Sequence, residues 1–427
     1  MTSDAVVQLQ RRDPLKTKQW KWIRLYLTAL GMWPKVHFGE PRSRLNEWYH
    51  MFLIVHTLIV MYSQIHYLVS HYATTSFFEM GHMLVTLFLN VHSHVRLQLA
   101  FDKAFGPMLK HFFTKMHLFN YEYHNTYSIQ IMEKIERFSW YLALYYIVLL
   151  NIGCPIFSMI AWGTNYLNGA YSRNNNVTLV SAVYLATPFD TEHNLFNWIL
   201  LAAYDLYFTY LIAGASLMND LTLYLITFQI MGHILILENN LKTIPKPPSR
   251  VLSEVTYSGS VNEIELEMFT EEENVEIHAK LKRFITEQRH LEEFINEIAN
   301  RYDLVLLVTY LYHLVNGCIV LLELLRGGKA GLVQYGFLAT GIFVQLISIS
   351  VILEQVCTLS DRLGDAVYST PWQCMSVRNQ KTVLLFLMRV QTPMMFKAMG
   401  VAEVGVKPMA GILKTTLSYF AFLNSLE

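Results

Sequence analysis

FSWYLALYYIVLLNIGCPIFSMIAW, residues 138–162, runs for 25 residues without a single Asp, Glu, Lys or Arg. A helix crossing the hydrocarbon of a bilayer needs about 20 mostly apolar residues, and inside lipid only helices and closed barrels satisfy their own backbone. This stretch therefore reads as a membrane-spanning helix. Four more runs of similar quality occupy 48–70, 195–217, 303–325 and 331–357. Two weaker ones follow the same pattern: 77–99, carrying Glu79 and Arg96, and 401–424, carrying Glu403, Lys407 and Lys414. A charge at the bilayer centre costs about 2.5 to 3.5 kcal/mol, so these two should face protein or water rather than lipid.

The composition agrees. Of 427 residues 53% are hydrophobic and 15% charged, against roughly 25% charged in an ordinary soluble domain. The expected class is an all-α integral membrane protein with seven transmembrane helices. Lys plus Arg and Asp plus Glu balance at 33 each, so no global field points to nucleic acid. Cys154, Cys318, Cys357 and Cys374 have no paired spacing that would make a zinc site or a disulfide framework. A polar, basic lead precedes the first apolar run, so the first span itself is expected to act as the insertion signal.

Basic residues collect on the cytoplasmic side of spans. The lead and the segments after spans two, four and six hold 27 Lys and Arg, and the segments after spans one, three and five hold three (Arg173, Arg326, Lys329). The amino terminus is then cytoplasmic and the carboxyl terminus extracellular. Asn176-Val177-Thr178, an acceptor pattern for glycosylation, falls on the outer side in this arrangement.

Between Lys16 and Trp33, Trp20, Trp22 and Tyr26 alternate with Lys and Arg, the pattern of an interfacial helix or of an ordinary capped soluble one. After span four, Pro245, Pro247 and Pro248 mark a turn. An acidic run from Glu263 to Glu273 reads as a solvated face or flexible linker. Beyond it Ile277, Leu281, Phe284, Ile285, Leu291, Phe294, Ile295 and Ile298 keep helical spacing into span five, which predicts one long helix projecting into the cytoplasm. There is no Gly-rich phosphate loop, HExxH or GxSxG pattern, so an enzyme is not expected and no cofactor is implied. The early histidines (His50, His56, His66, His71, His82, His92, His94) suggest hydrogen-bonded groups rather than a metal site.

From Ala366 the chain reads AVYSTPW, with Pro371 and Trp372, then RNQKTVLLFLMRVQTPMMFKAMG from Arg378 and ILKTTLSYFAFL from Ile412. These segments resemble the carboxyl-terminal signature of the insect odorant receptors. Gly405-Val406-Lys407-Pro408-Met409 is similar to the moth pheromone-receptor branch, and MGHILILENNL from Met231 also looks like a family segment. The resemblance implies a receptor subunit of a ligand-gated, non-selective cation channel in olfactory neuron plasma membrane. Four subunits, receptors together with a common coreceptor, would surround a pore lined by the last helix. The corresponding division of the chain is a cytoplasmic segment (1–44), spans one to four as the ligand-binding bundle (45–230), a cytoplasmic loop and helical anchor (231–302), spans five and six (303–357), a cytoplasmic loop leading into the last helix (358–400) and the pore-lining helix (401–427).

Matched to the terminal motif, Tyr419 and Phe420 stand at the family's aromatic pair, while Phe422, Ser425 and Leu426 fall at its outer gate, at i, i+3 and i+4 of one helical face. The coreceptor looks to have Val and Gln where this chain has Phe422 and Ser425. Plain packing of Phe422 and Leu426 against neighbours is the competing reading, and Lys407 and Lys414 are expected to pair with acidic groups such as Glu354. The implied ligand pocket lies in the outer halves of spans two, three, four and six. These supply His82, Met83 and Thr86; Leu150, Cys154 and Phe157; Tyr204 and Phe208; and Phe337 and Thr340. Such walls suit a volatile hydrocarbon with one oxygen function, a long-chain alcohol, acetate or aldehyde, held mainly by burial. Helix packing alone is the alternative for each. A G-protein-coupled receptor would need a cytoplasmic carboxyl terminus, and a transporter would need two related halves with broken helices; neither pattern is found.

Overall fold

The computed structural model describes residues 13–41, 44–73, 75, 77–122, 125–172, 177–247, 250–257, 260–326, 328–398 and 402–425. Its α-helices, in order, are α1 (Lys18–Ala29), α2 (Arg44–His71), α3 (Phe77–Leu97), α4 (Phe105–His111), α5 (Thr126–Leu167), α6 (Leu195–Lys242), α7 (Glu271–Arg326), α8 (Gly328–Tyr368), α9 (Val377–Val390) and α10 (Val406–Ser425). β1 (Arg250–Tyr257) pairs antiparallel with β2 (Ser260–Glu267), Arg250 opposite Glu267, and a two-residue pair joins β3 (Lys397–Ala398) to β4 (Ala402–Glu403). Among the described residues five helices, α2, α5, α6, α7 and α8, are long and apolar enough to cross a membrane. The weaker runs are helical too, as α3 and α10.

Local chemistry sets the ends. The Asn125 side chain caps α5 by accepting the Ser128 N–H at 2.8 Å, and Gly169, at φ 66°, ends the chain's exit from that helix in the left-handed region. At the start of α7, Thr270 and Glu273 form a reciprocal capping box: the Thr270 N–H reaches Glu273 Oε2 at 2.8 Å and the Glu273 N–H reaches Thr270 Oγ1 at 3.3 Å. The acidic run is thereby divided. Glu263, Glu265 and Glu267 lie on β2, whereas Glu271, Glu272 and Glu273 form the first turn of α7, where carboxylates complement the helix dipole.

At about 1.5 Å per residue, α5, α6, α7 and α8, of 42, 48, 56 and 41 residues, far exceed a hydrocarbon core of about 30 Å. Each runs unbroken past its apolar run, as a polar-faced extension in α5, α7 and α8 and as a buried one in α6, and the chain passes straight through positions 230, 302 and 357. α6 is apolar all round and buried along most of its length, the signature of a central helix. α5, α8, α3 and α7 pack around it. α2 turns Trp48, Phe52, Ile59, Tyr62 and Val69 outward, an apolar face suited to lipid. α1 splits its aromatics: Trp20 is buried against Phe112 and Phe113, and Trp22 is exposed beside Tyr26. In the extension, His233 Nε2 donates to the Met116 carbonyl at 2.9 Å, and burial pushes its imidazole down to about 4.

A buried ion pair crosses the middle. Arg96 on α3, fully buried, donates to Asp220 Oδ1 on α6 from Nη2 at 2.6 Å and from Nε at 3.2 Å, and to Thr309 Oγ1 on α7 at 3.0 Å. Gln345 Nε2 on α8 donates to Asp220 Oδ2 at 2.5 Å, so the Arg96–Asp220 pair ties four helices. The expectation that the charge in span two faces protein is met at Arg96.

The last helix starts later than the expected 401 to 403. Ala402 and Glu403 are taken up by the β4 pairing, and Pro408 sits in the first turn of α10, where its missing N–H costs nothing. Glu354 Oε2, expected to meet Lys407 or Lys414, instead accepts the Val406 N–H at 3.4 Å. Of the gate positions, Phe422 is exposed, Ser425 ends α10, and Leu426 lies outside the described residues, as does Asn176.

Removing one partner of a buried pair strands the other charge. Arg96→Ala should cost about 3 to 5 kcal/mol and sharply lower the melting temperature seen by fluorescence-detected size exclusion. Arg96→Met with Asp220→Leu should recover most of that loss.

Candidate ligand-binding site

A cavity of about 140 Å³ lies between α3, α5, α6, α7 and α8. From α5, Leu149, Gly153, Cys154, Phe157 and Ile160 recur at intervals of one helical turn, which puts them on one face. Gly153 is needed for clearance, since a Cβ there would stand 3.3 Å from the Phe337 ring of α8. α6 contributes Thr209, Ile212, Ala213 and Ser216, α7 contributes Tyr312, and α8 adds Leu338, Gly341, Ile342 and Gln345. The walls are chiefly apolar, with the polar groups concentrated at the end where Ser216 and Gln345 meet the Asp220 network.

The roof is a connecting segment. Between α5 and α6 the chain dips inward, so that Val183 is buried and lines the cavity. Main-chain atoms hold it: Asn165 bonds both the N–H and the carbonyl of Val180 at 2.8 Å, and Asp205 Oδ2 accepts the Val183 N–H at 3.2 Å. His82 Nε2 stands 2.8 Å from the Ala182 carbonyl and Nδ1 3.1 Å from the Tyr335 hydroxyl. A carbonyl can only accept, so Nε2 carries the proton and Tyr335 donates to Nδ1.

Of the residues expected at the site, Thr86, Cys154, Phe157 and Phe337 line this cavity. His82 borders a smaller space beside it with Phe157, and Met83 lines an outer polar cavity of about 280 Å³ with Tyr67, Glu79, Tyr184 and Glu192. Leu150 is buried one position out of phase, against α6 near Gly214. Tyr204 and Phe208 face α2 instead, where the Tyr204 hydroxyl lies 2.6 Å from His56 Nε2 and the Phe208 ring 5.8 Å from His56. Thr340 is exposed and donates to the Gly336 carbonyl. Sequence reasoning did not reach Val183, Tyr312, Ser216 or Gln345. Tyr312 lies on span five, outside the four spans considered, and Val183 lies in a connecting segment.

Residues 108–417 match the family described as 7tm Odorant receptor, and the chain belongs to that family. It is a membrane protein of a receptor family rather than an enzyme family. Among solved structures it is similar to the insect olfactory receptor OR5 from Machilis hrabei, with 15% identity, 99% of this chain and 100% of that chain covered, and a TM-score of 0.75. The same receptor in complex with eugenol also matches, at 15% identity, 97% and 100% coverage and a TM-score of 0.73. No curated protein sequence matches the chain.

Filling the cavity tests its role. Cys154→Trp should raise the ligand concentration for half-maximal response by about tenfold or more, the equivalent of about two methylenes of lost burial, while surface expression changes little. Equal loss of both would remove the site.

Proposed function

We propose that the chain is the ligand-binding subunit of a ligand-gated, non-selective cation channel of olfactory neurons, assembled as a heterotetramer with a coreceptor subunit. The observation that carries this reading is the chiefly apolar, partly open cavity with a few polar groups in its wall, the form expected for a small molecule held by burial and oriented by a few groups. The ligand is a volatile lipid-like molecule with one oxygen function, a long-chain alcohol, acetate or aldehyde as in the pheromone-receptor branch. A long chain requires widening past Phe337, which is already half exposed at the cavity's edge. The complex of the Machilis hrabei receptor with eugenol supports a small organic ligand.

In this reading the chain crosses seven times, α3 and α10 included, with the amino terminus cytoplasmic, the carboxyl terminus outside and Asn176 glycosylated. α10 lines the pore. It rests on α7 and α8, with Thr416 buried beside Cys318, and turns Lys407, Lys414, Tyr419 and Phe422 away from its own bundle. Permeation past such a helix uses hydroxyl groups and an apolar constriction rather than a carbonyl filter, so selectivity is loose. α9 presents Val377, Leu384 and Met388 outward along one face beyond the spans, a surface for contact with neighbouring subunits.

Co-expression with a coreceptor should yield ligand-evoked cation current that neither chain alone gives. Cysteines at Phe422, Ser425 and Leu426 should react with soluble thiol reagents and block that current; unreactive cysteines in open and shut states would move the conduit elsewhere. Leu384→Glu with Met388→Glu should prevent co-purification with the coreceptor while leaving the monomer folded.

A further inference from the structure

The polar end of the cavity has a sign. Asp220 Oδ2 is an acceptor, and it lies 2.5 Å from the Gln345 amide, so the nitrogen of that amide must face it. The same nitrogen donates to Ser216 Oγ at 3.3 Å, and Ser216 lies 3.4 Å from His92 Nδ1. Arg96 holds the other carboxylate oxygen through two donors, so Asp220 has no freedom to release the amide for rotation. Gln345 Oε1 is left pointing away from this network. Among the described residues no hydrogen bond reaches it, in a residue that is buried and lines the cavity.

Two of the donors around it are committed. The Thr86 hydroxyl is shared between the His82 and Met83 carbonyls at 3.2 and 3.0 Å, and the Cys154 thiol points to the Thr209 carbonyl at 3.9 Å. The Thr209 hydroxyl has no partner, but it is closed inside the wall without accessible surface. The Tyr312 hydroxyl lines the same cavity and does not give its proton to the neighbouring Asn316, whose Oδ1 is unpartnered. A ligand entering the cavity therefore meets a fixed acceptor at Gln345 and one hydroxyl, that of Tyr312, that can give or take a hydrogen bond.

We propose that the Gln345 carbonyl, held in orientation by the Arg96, Asp220 and Ser216 network, selects ligands that bring a hydroxyl group, favouring alcohols over aldehydes, esters and hydrocarbons of equal chain length. This deepens the reading above, since it rests on the cavity being the ligand site. A hydroxyl donates to Oε1. An aldehyde or ester can accept from Tyr312 but has no proton for Oε1 and buries that oxygen without a partner, which is the costly case.

The test uses binding, so that it decides the matter whether or not the pore reading holds. The full chain, purified from cells that also express a coreceptor, is titrated with 1-octanol, octanal, methyl octanoate and octane, and thermal stabilisation is followed against ligand concentration. In the wild type 1-octanol should reach half-effect at a concentration about three- to tenfold lower than the other three. Gln345→Leu should bring 1-octanol to the octane value and leave octane within about twofold of wild type. Gln345→Met, closer in shape, gives the same reading should the Leu variant be poorly folded. An alcohol no better than octanal on the wild type, or an alcohol advantage that survives in both variants, overturns the inference. Stabilisation by none of the four removes the cavity reading and this inference together. Binding as expected without ligand-evoked current overturns the channel reading alone.

Discussion

A guanidinium and a carboxylate meet where neither has water to turn to, and the bundle is arranged around them. Arg96 and Asp220 are both almost wholly buried, and a charge in such a place persists only when its partner and its remaining hydrogen bonds are supplied by protein. Here Thr309, the His92 carbonyl and Gln345 supply them. The consequence is geometric. Helices α3, α6, α7 and α8 cannot slide or rotate past one another without breaking a bond to one of two charged groups. That fixes the phase of every residue facing the cavity, because the cavity opens directly beside the network at Ser216 and Gln345.

The same helix that closes the cavity also reaches the start of the last one. α8 carries Phe337, Gly341 and Gln345 on the cavity and, a few turns further along the same unbroken helix, Glu354 against the Val406 N–H. Gly405 lets the chain pass close to Glu354, since a Cβ there would force the carboxylate to move. A helix is stiff over this length, and the distance between the cavity and α10 is spanned by covalent backbone rather than by a chain of contacts.

The spans were readable because the bilayer imposes one length and one polarity on everything that crosses it; 138–162 could be nothing else. Helix ends were less readable. α5 and α8 continue as polar-faced helices and α6 as one buried by protein, and in neither case does apolar run length mark the end. The start of α10 was misplaced by a few residues because Ala402 and Glu403 are apolar and acidic in the manner of the span itself, and only pairing with Lys397 and Ala398 removes them from it. Within the site, choosing the right helices did not fix their rotation. Cys154 and Phe157 face inward, whereas Leu150, of the same chemical type, packs toward α6, and Tyr204 turns to His56 on a helix that no pattern linked to it. Gln345 sits in an apolar run as one more uncharged residue, and only Asp220, 125 positions away, gives it meaning.

The roof over the cavity has a bearing on how such a receptor can diverge. Its fastenings at Val180, Ala182 and Val183 all engage peptide atoms, supplied from Asn165, His82 and Asp205 on the helices. Peptide atoms are the same whatever residue carries them. The side chain at position 183 can therefore be exchanged in descent with the anchoring intact, and each exchange recontours the ceiling of the cavity. A lineage can thus reshape that space at one exchangeable tile, while the scaffold around it is inherited unchanged.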